Sequence, residues 1–233
     1  MKVLVVDVGG THVKMLVSGA REARRFASGR QLTAAALVKR VTEAVRGWRF
    51  DVISLGYPGV VGRDGPAEEP GNLAGGWVGF DFERAFGKPV RLVNDAVMQA
   101  LGGYDGGRML FLGLGTGLGS ALVSEHVVVP LELGNLPYGP GESLADRLGR
   151  AGRKTYGHEQ WLATLARAVD ALLKAFAVDY IVLGGGNAKH VHPLPAAARR
   201  GGNEDAFSGG FRLWEEMVEP HDRQPSRAWR VVR

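Results

Sequence analysis

The stretch Val3-Leu-Val-Val-Asp7-Val-Gly9-Gly10-Thr11-His-Val-Lys14 decides how the N-terminal half of the chain folds. An apolar run enters an aspartate, two glycines follow, and a second apolar run continues to Val17, a pattern that predicts strand, tight turn, strand. Glycine permits a close approach of the backbone, so the amides of the Gly9-Gly10-Thr11 turn are candidates to bind phosphate oxygens. Asp7 is then a candidate to hold a metal ion, and Lys14 to add a positive charge. A plain hairpin turn explains this stretch equally well.

A second glycine-rich stretch repeats this form in the C-terminal half. The strand Met109–Leu114 leads into Gly113-Leu-Gly115-Thr116-Gly117-Leu-Gly119-Ser120, and another strand, Ala121–Ser124, follows. The stretch lacks the lysine of a P-loop, and a strand stands where the dinucleotide-binding motif needs a helix. Two glycine hairpins, one in each half, therefore predict a duplicated architecture that holds phosphate between its halves.

Two further acidic positions follow predicted strands. Asn94 and Asp95 come directly after the strand Lys88–Val93 and open a helix, at the strand end where α/β proteins place ligands. The alternative is an ordinary Asn-Asp helix cap. Glu132 follows the strand Val127–Pro130, which is a costly place for a charge unless a ligand binds it.

The remaining elements complete two similar halves. Each half is predicted to contain three strands, a helix, a strand and a further helix, with a third glycine turn, Gly184-Gly-Gly186-Asn187, opening a helix after the strand Tyr180–Leu183. The break Gly102–Gly107 separates a predicted N-terminal lobe, residues 1–107, from a C-terminal lobe, residues 108–218. Small residues in the last helix, including Gly209 and Gly210, predict a close helix contact. Residues 219–233 are predicted to be a basic tail.

Composition limits the possible functions. No apolar run approaches the ~18 residues that a membrane helix needs, and the early Asp7 does not fit a signal peptide, so a cytoplasmic protein without membrane contact is expected. The chain of 233 residues has no cysteine, which excludes disulfides and thiolate zinc sites. The net charge of +5 favours anionic ligands without naming one.

Six segments in order resemble the ROK family of bacterial repressors, open reading frames and kinases, which has the duplicated ribonuclease-H-like α/β fold of actin and hexokinase. They are the Asp7–Lys14 hairpin, Pro58-Gly59, Asn72 with Trp77, Asn94-Asp95-Ala96, the Gly-Thr-Gly hairpin and Gly184–Ala188; the segment Asn203–Leu213 also matches. The resemblance covers about residues 1 to 215. It implies two lobes with a cleft between them.

The resemblance also implies a hexose kinase and assigns roles by position. Asp95 would be the general base on the sugar O6, and the sugar pocket would consist of Pro58, Gly59, Asn72, Asn94, Glu132 and Asn135. Phosphates would be held by Asp7, Gly9, Gly10, Thr11, Lys14, Thr116 and Gly117. Gly185, Gly186 and Asn187 would line the nucleotide, and Asp7 would organise Mg²⁺. A homodimer is implied, and no nucleic acid is expected because Met1 leads at once into the first strand.

The chain departs from the family pattern at two points. Asn135 stands where the family has a histidine that contacts sugar and, in members with a cysteine cluster, binds zinc; structural zinc is therefore not expected. In lacking the zinc cluster, the chain resembles the polyphosphate glucokinase branch, so the donor is expected to be ATP or polyphosphate. The alternatives are a non-catalytic or sugar-responsive binding protein, and a kinase for another acceptor such as N-acetylmannosamine or pantothenate.

Overall fold

The structure is a computed structural model that describes residues 1–202, 204–217 and 227–232. Two mixed β-sheets form its framework. The first contains β1 (Val3–Val8), β2 (His12–Val17), β3 (Arg24–Ala27), β4 (Val52–Tyr57) and β7 (Val90–Asn94). Between β4 and β7 lies a small hairpin of β5 (Val61–Gly62) and β6 (Gly65–Pro66). The second contains β8 (Arg108–Leu114), β9 (Leu118–Ser124), β10 (Val127–Leu131), β13 (Tyr180–Gly184), β14 (Ala198–Arg200) and β17 (Arg230–Val231).

The two sheets repeat one topology. In the first, the strand order is β3-β2-β1-β4-β7, with β1 antiparallel to β2 and parallel to β4. In the second, β8 is likewise antiparallel to β9 and parallel to β13, in the order β14-β13-β8-β9-β10-β17. This repetition confirms the duplicated α/β fold. The short strand β3 lies at the edge of its sheet, and its Arg24, Arg25 and Ala27 are exposed.

Helices cover both faces of the sheets. They are α1 (Ala34–Ala44), α2 (Phe82–Phe86), α3 (Asp95–Gly103), α4 (Leu144–Leu148), α5 (Arg150–Tyr156), α6 (His158–Ala175) and α7 (Asp205–Arg212). Thr33 caps α1, because its side-chain oxygen accepts a hydrogen bond from the Ala36 amide at 3.1 Å. The short hairpin β11 (Pro137–Gly139) and β12 (Glu142–Ser143) precedes α4, and β15 (Glu216–Met217) pairs with β16 (Arg227–Ala228).

A central apolar layer joins the two sheets. One continuous cluster contains buried residues of the first sheet such as Val5 and Val93, residues of the second such as Phe111 and Val123, and side chains of α3 and α7. The helix α3 packs on strands of the second sheet, whereas α7 packs on β1 and β4 of the first. Each half thus buries a helix from the other, which fixes the position of the α3 N-terminus between the sheets.

Glycines allow α3 and α7 to cross at close range. A Cβ atom built at Gly209 would lie 1.7 Å from the Met98 carbonyl oxygen, and one at Gly102 would lie 1.9 Å from the Asp205 carbonyl oxygen. Both obstacles are backbone atoms, so no side chain can move aside to make room. The close contact expected from the small residues of the last helix is confirmed.

Two predictions require correction. Gly184–Gly186 is followed by a single 3₁₀ turn, Ala188–His190, and not by the predicted helix, because Pro193 disfavours the helical conformation at His192. The predicted basic tail is wrong for residues 227–232: Val127 and Val128 of β10 pair in parallel with Arg230 and Val231, and Trp229 is buried. The polar composition of this segment did not indicate that Trp229 packs against Tyr104. Residues 219–226 and 233 of that tail, like Asn203, lie outside the described residues.

Within the described ranges, none of the helices combines the length and apolar character that crossing a membrane requires.

The helix crossing predicts an unusual response to alanine. Gly209→Ala should destabilise the protein by about 2 kcal/mol or more, because the clash with the Met98 carbonyl outweighs the ~1 kcal/mol that alanine gains in helix propensity. Ser208→Ala is the matched control, since Ser208 is exposed on the same helix and should tolerate the change. Urea unfolding of both variants checks this expectation. Equal midpoints for Gly209→Ala and the wild type would contradict it.

Candidate functional site

Several residues that are predicted to bind the sugar, the acceptor of the phosphoryl group, converge on one edge of the first sheet. The parallel strands β1, β4 and β7 all end there, at Val8, Tyr57 and Asn94. The carboxyl ends of parallel strands meet at the same edge, so side chains from three distant parts of the sequence lie together. This geometry brings the Asp7–Lys14 hairpin beside the Pro58-Gly59 turn and the start of α3.

Asp7 lies at the base of the first hairpin. Its Cα pairs directly with that of Lys14 across the β1–β2 ladder, and the residue is only 9% exposed. Burial raises the pKa of the Asp7 carboxyl, and the positive charge of Lys14 opposes part of that rise. A buried carboxylate with one nearby cation is well suited to stabilise a further positive charge.

The turn itself offers free backbone donors. The Gly9 amide closes the hairpin by donating to the His12 carbonyl at 3.0 Å, so Gly9 supports the turn rather than a ligand. Within the described residues, the amides of Gly10 and Thr11 donate to no protein acceptor, and both residues are exposed. Of the three predicted phosphate-binding amides, the structure therefore leaves two available.

A loop from the segment before α2 brings Asn72 to the same place. A Cβ atom at Gly10 would lie 3.8 Å from Asn72 Cβ and 3.9 Å from its Nδ2 atom. The Glu69 carboxylate shapes this loop by accepting hydrogen bonds from the Gly76, Trp77 and Val78 amides, chiefly the Trp77 amide, which hold its pKa below the usual value. The buried Trp77 ring packs against Tyr57 beneath the loop. No sequence pattern indicated this role of Glu69.

Asn94 serves the fold at this edge. Its Oδ1 atom accepts from the Ala96 amide at 2.8 Å and caps α3, as the alternative interpretation of the Asn-Asp pair had it. Its Nδ2 atom donates to the Gly59 carbonyl at 3.0 Å and fixes the Pro58-Gly59 turn. Asn94 thus shapes this edge of the sheet by fixing the Pro58-Gly59 turn and the start of α3.

Asp95 is a second carboxyl at this edge whose pKa is raised. It begins α3, where its Oδ1 atom accepts from the Ala96 amide at 2.8 Å. Burial, and next the negative charge of Asp7, raise the pKa of the Asp95 carboxyl to about 7, and Glu132 adds to the rise. A carboxyl that ionises near neutral pH is matched to proton transfer.

Glu132 and Asn135 enter from the second half of the chain. The Asn135 amide donates to the Glu132 carbonyl at 3.0 Å in a 3₁₀ turn, and both residues are exposed. Ser120 anchors this turn, since its Oγ atom donates to Leu131 O at 2.8 Å and accepts from the Leu133 amide at 3.1 Å. The pair therefore has a fixed base and free side chains.

Glu68 is a candidate that sequence analysis missed. Burial and the nearby negative charge of Glu68 together raise the pKa of the Glu132 carboxyl, so the two carboxylates approach each other. The Tyr57 hydroxyl holds the Glu68 backbone by donating to its carbonyl at 2.7 Å. The only signal was a pair of acids in a Gly- and Pro-rich loop, a common feature of solvated loops.

The second hairpin lies against the start of α3. A Cβ atom at Gly119 would lie 2.9 Å from Ala96 Cβ, so the second sheet reaches the residue after Asp95. The Gly115 amide is used within the turn, whereas the amides of Thr116 and Gly117 have no acceptor in the described part of the chain. The two hairpins thus offer the same kind of site, two free amides each, on either side of the α3 N-terminus.

The third glycine turn supports the second hairpin. Gly185 has φ of +76°, and a Cβ there would lie 2.8 Å from Leu114. Asn187 is 7% exposed; its Nδ2 atom donates to Gly115 O at 3.4 Å and its Oδ1 atom accepts from Arg153 at 3.1 Å. Asn187 therefore acts as a strut between two turns, while Gly185 and Gly186 remain exposed.

Positive charge surrounds this third turn. Burial lowers the pKa of the His190 imidazole, and the nearby charges of Arg153, Lys189 and His158 lower it further. Carboxylates concentrate on the acceptor side and cations on the side of the second hairpin. This polarity suits a neutral acceptor at one end and an anionic donor at the other.

The carboxylates fit a hard divalent cation. Asp7 and Asp95 lie close enough to raise the pKa of Asp95, and carboxylate oxygens are the ligands that Mg²⁺ prefers in proteins. Among the described residues, no group of three or more histidine, cysteine, aspartate or glutamate side chains could hold a metal ion. A site of one or two carboxylates is the usual arrangement where Mg²⁺ binds together with substrate phosphates.

The raised pKa of Asp95 predicts a cost to stability. The Asp95 carboxyl has a pKa of about 7 in the folded protein, against an ordinary value of 3.8. The protein therefore loses stability as pH rises between those two values. Asp95→Asn removes the ionisation and should therefore raise the Tm at about pH 8, with little difference below about pH 4. Thermal unfolding across this range measures the effect. A variant that is less stable than the wild type at about pH 8 would contradict the assignment.

Comparison with known proteins identifies relatives in sequence and in fold. No family model matches the chain. The polyphosphate glucokinase of Mycobacterium tuberculosis is 26% identical, over 78% of this chain and 76% of that protein. The crystal structure of an inorganic polyphosphate/ATP-glucomannokinase from Arthrobacter sp. strain KM aligns with a TM-score of 0.76 and 21% identity, over 90% of this chain and 96% of that one.

A ROK family glucokinase from Streptomyces griseus, solved with glucose and AMPPNP, also has this fold. It aligns with a TM-score of 0.69 and 16% identity, over 90% of this chain and 98% of that one. The chain is thus similar in sequence to polyphosphate glucokinases and has the hexokinase-type fold of the ROK sugar kinases.

Proposed function

We propose that this protein is a hexose kinase that transfers a phosphoryl group from ATP or polyphosphate to the 6-hydroxyl of glucose or a related sugar. The proposal rests mainly on Asp95. This residue lies at the α3 N-terminus between two hairpins with free amides, and its carboxyl has a pKa of about 7. Polyphosphate glucokinases as relatives support the same reaction.

Asp95 acts as the general base. Its ionised carboxylate takes the proton from the sugar 6-hydroxyl as that oxygen bonds to the terminal phosphorus of the donor, and the bond to the bridging oxygen breaks. The products are a sugar 6-phosphate and either ADP or a polyphosphate shortened by one unit. Glu132, Asn135 and Asn72 hold sugar hydroxyls, and the Pro58-Gly59 turn, fixed by Asn94, closes the pocket.

The two hairpins hold the donor phosphates. Free amides of Gly10, Thr11, Thr116 and Gly117 donate to phosphate oxygens, and Lys14 adds a positive charge from β2. When bound, Mg²⁺ would neutralise charge on the transferring phosphate, with Asp7 as its protein ligand. Phosphoryl transfer depends mainly on such positioning and charge neutralisation, which backbone amides supply without catalytic side chains.

The donor end recognises phosphate rather than a base. Asn187 uses its side-chain amide within the protein, and the neighbouring groups, Arg153 and Lys189, are cationic. Gly185 and Gly186 remain exposed beside these groups, where they can contact the part of the donor beyond the transferred phosphate. This arrangement supports a protein that accepts either ATP or polyphosphate.

The working protein is proposed to be a cytoplasmic homodimer that binds no nucleic acid, with lobes at residues 1–107 and 108–218. The family resemblance supports this assignment. A kinase for N-acetylmannosamine is the second candidate, favoured by Asn135, whose amide presents both a donor and an acceptor to a sugar substituent.

Turnover should depend on Asp95. Glucose with Mg²⁺ and either ATP or polyphosphate should yield glucose 6-phosphate in a coupled assay, and Asp95→Asn should reduce kcat by about 10²- to 10⁴-fold. Asp105→Asn is the control, since Asp105 forms a surface ion pair with Arg199 at 3.5 Å. Product from N-acetylmannosamine but not from glucose would favour the second candidate. Near wild-type turnover by Asp95→Asn would exclude the proposed base.

The pH dependence should report the same carboxyl. Since the base must be ionised, kcat/KM should rise with pH to a plateau, with a midpoint near the Asp95 pKa of about 7. Glu132→Gln removes a negative charge that raises this pKa, so the midpoint should shift to lower pH even though the maximum rate falls. Profiles of both proteins from about pH 5 to 9 test this. An unchanged midpoint would show that the charge of Glu132 does not raise the pKa of the base, Asp95.

A further inference from the structure

The short helix α4 lies between the acceptor and donor sides of the site. A Cβ atom at Gly134, within the Glu132–Asn135 turn, would lie 3.2 Å from Ala145 Cβ of α4. At the other end of α4, a Cβ atom at Gly149 would lie 2.7 Å from Thr116 O of the second hairpin. One helix therefore touches both the segment that holds sugar and the turn that holds phosphate.

The hairpin before α4 connects it to Asn135. The strand β11 begins two residues after Asn135, and the Leu144 amide closes the hairpin by donating to the Leu136 carbonyl at 2.7 Å. Ser143 and Asp146 form a capping box that starts α4. With five residues, α4 is too short to be stable without tertiary contacts.

A compact side-chain cluster supplies such contacts. Arg147 donates from Nε and Nη2 to Glu142 Oε2, each at 2.7 Å, and its guanidinium lies 3.9 Å from the Tyr156 ring and 5.0 Å from the Tyr138 ring. The Tyr156 hydroxyl donates to the other oxygen of Glu142. We name these four residues, Tyr138, Glu142, Arg147 and Tyr156, the Arg147 clamp.

The clamp is more enclosed than an ordinary surface ion pair. The side chains of Arg147 and Glu142 are 20% and 31% exposed, against 56% and 51% for Arg108 and Asp179. Partial burial, a planar stacked guanidinium and a second donor to the carboxylate all favour a single geometry. None of the four clamp residues belongs to the acceptor or donor machinery described above.

We infer that the Arg147 clamp is a positioning device that sets Glu132 and Asn135 against the Thr116-Gly117 turn through α4. This inference rests on the proposed function, because it concerns the alignment of acceptor and donor. The exposed segment from Asn135 to Tyr138 has little buried surface of its own, so its position depends on what holds the hairpin. Loss of the clamp should loosen both sides of the site together.

Kinetics of Arg147→Met test the inference. KM for the hexose and KM for the donor should each rise by about 10-fold, with a smaller change in kcat, because substrate-holding groups are misplaced while the base is intact. Arg147→Lys keeps the charge without the planar fork and should give intermediate values. Arg108→Met, which breaks the surface pair with Asp179, is the matched control and should leave both KM values unchanged.

A double variant tests whether the clamp acts as a unit. Glu142→Gln combined with Arg147→Met should raise the two KM values no further than Arg147→Met alone, since the residues share one interaction. Unchanged KM values in Arg147→Met, with only a lower Tm, would reduce the clamp to a stabilising contact and overturn the inference.

Hydrogen exchange gives a readout that does not require turnover. Arg147→Met should speed exchange of the hydrogen-bonded amides of Leu133, Asn135 and Leu136 and of Gly115 in the folded protein, while the first sheet stays unchanged. Faster exchange confined to residues 137–148 would overturn the positioning role. If the wild type itself has no kinase activity, the proposed function fails, and the exchange result still decides whether the clamp couples the two segments.

Discussion

The structure depends on one close contact, the crossing of α3 and α7. Because Gly102 and Gly209 bring backbone against backbone, the two helices can exchange partners, each packing on the sheet of the opposite half. The N-terminus of α3 is thereby held between the two sheets, and Asp95 with it. The Ser54 hydroxyl strengthens the arrangement by donating to the Gly210 carbonyl at 2.5 Å and accepting from the Trp214 indole at 2.9 Å.

The electrostatics of the site follow from that placement. Three carboxylates, Asp7, Asp95 and Glu132, come from different elements, and loss of solvation raises the pKa of each; the charge of Asp7 adds to the rise at Asp95, and that of Glu68 adds to the rise at Glu132. Cationic groups gather around the third glycine turn instead. Grouping the carboxylates near Asp95 costs stability, and burial of the apolar layer between the sheets compensates for that cost.

Sequence patterns predicted the framework because they report local physics. The two glycine hairpins and the Asn94 helix cap each have a short-range cause, and each lies where the sequence pattern indicates it. The parallel pairing of Arg230 with Val127 was not predictable, because it links residues about a hundred positions apart across a polar stretch. Likewise, Glu68 and the strut role of Asn187 depend on neighbours that only the folded chain supplies.

The exchange of helices between halves has a consequence for biosynthesis. Residues of β1, β4 and β7 leave the ribosome early, yet part of the inner face of their sheet, including Val5, packs against α7, which is synthesised much later. At ~5–20 residues per second, that apolar face waits on the order of 10 s for its partner helix. A chaperone that shields exposed apolar surface would find its binding site there, on a nascent chain whose first sheet is already paired.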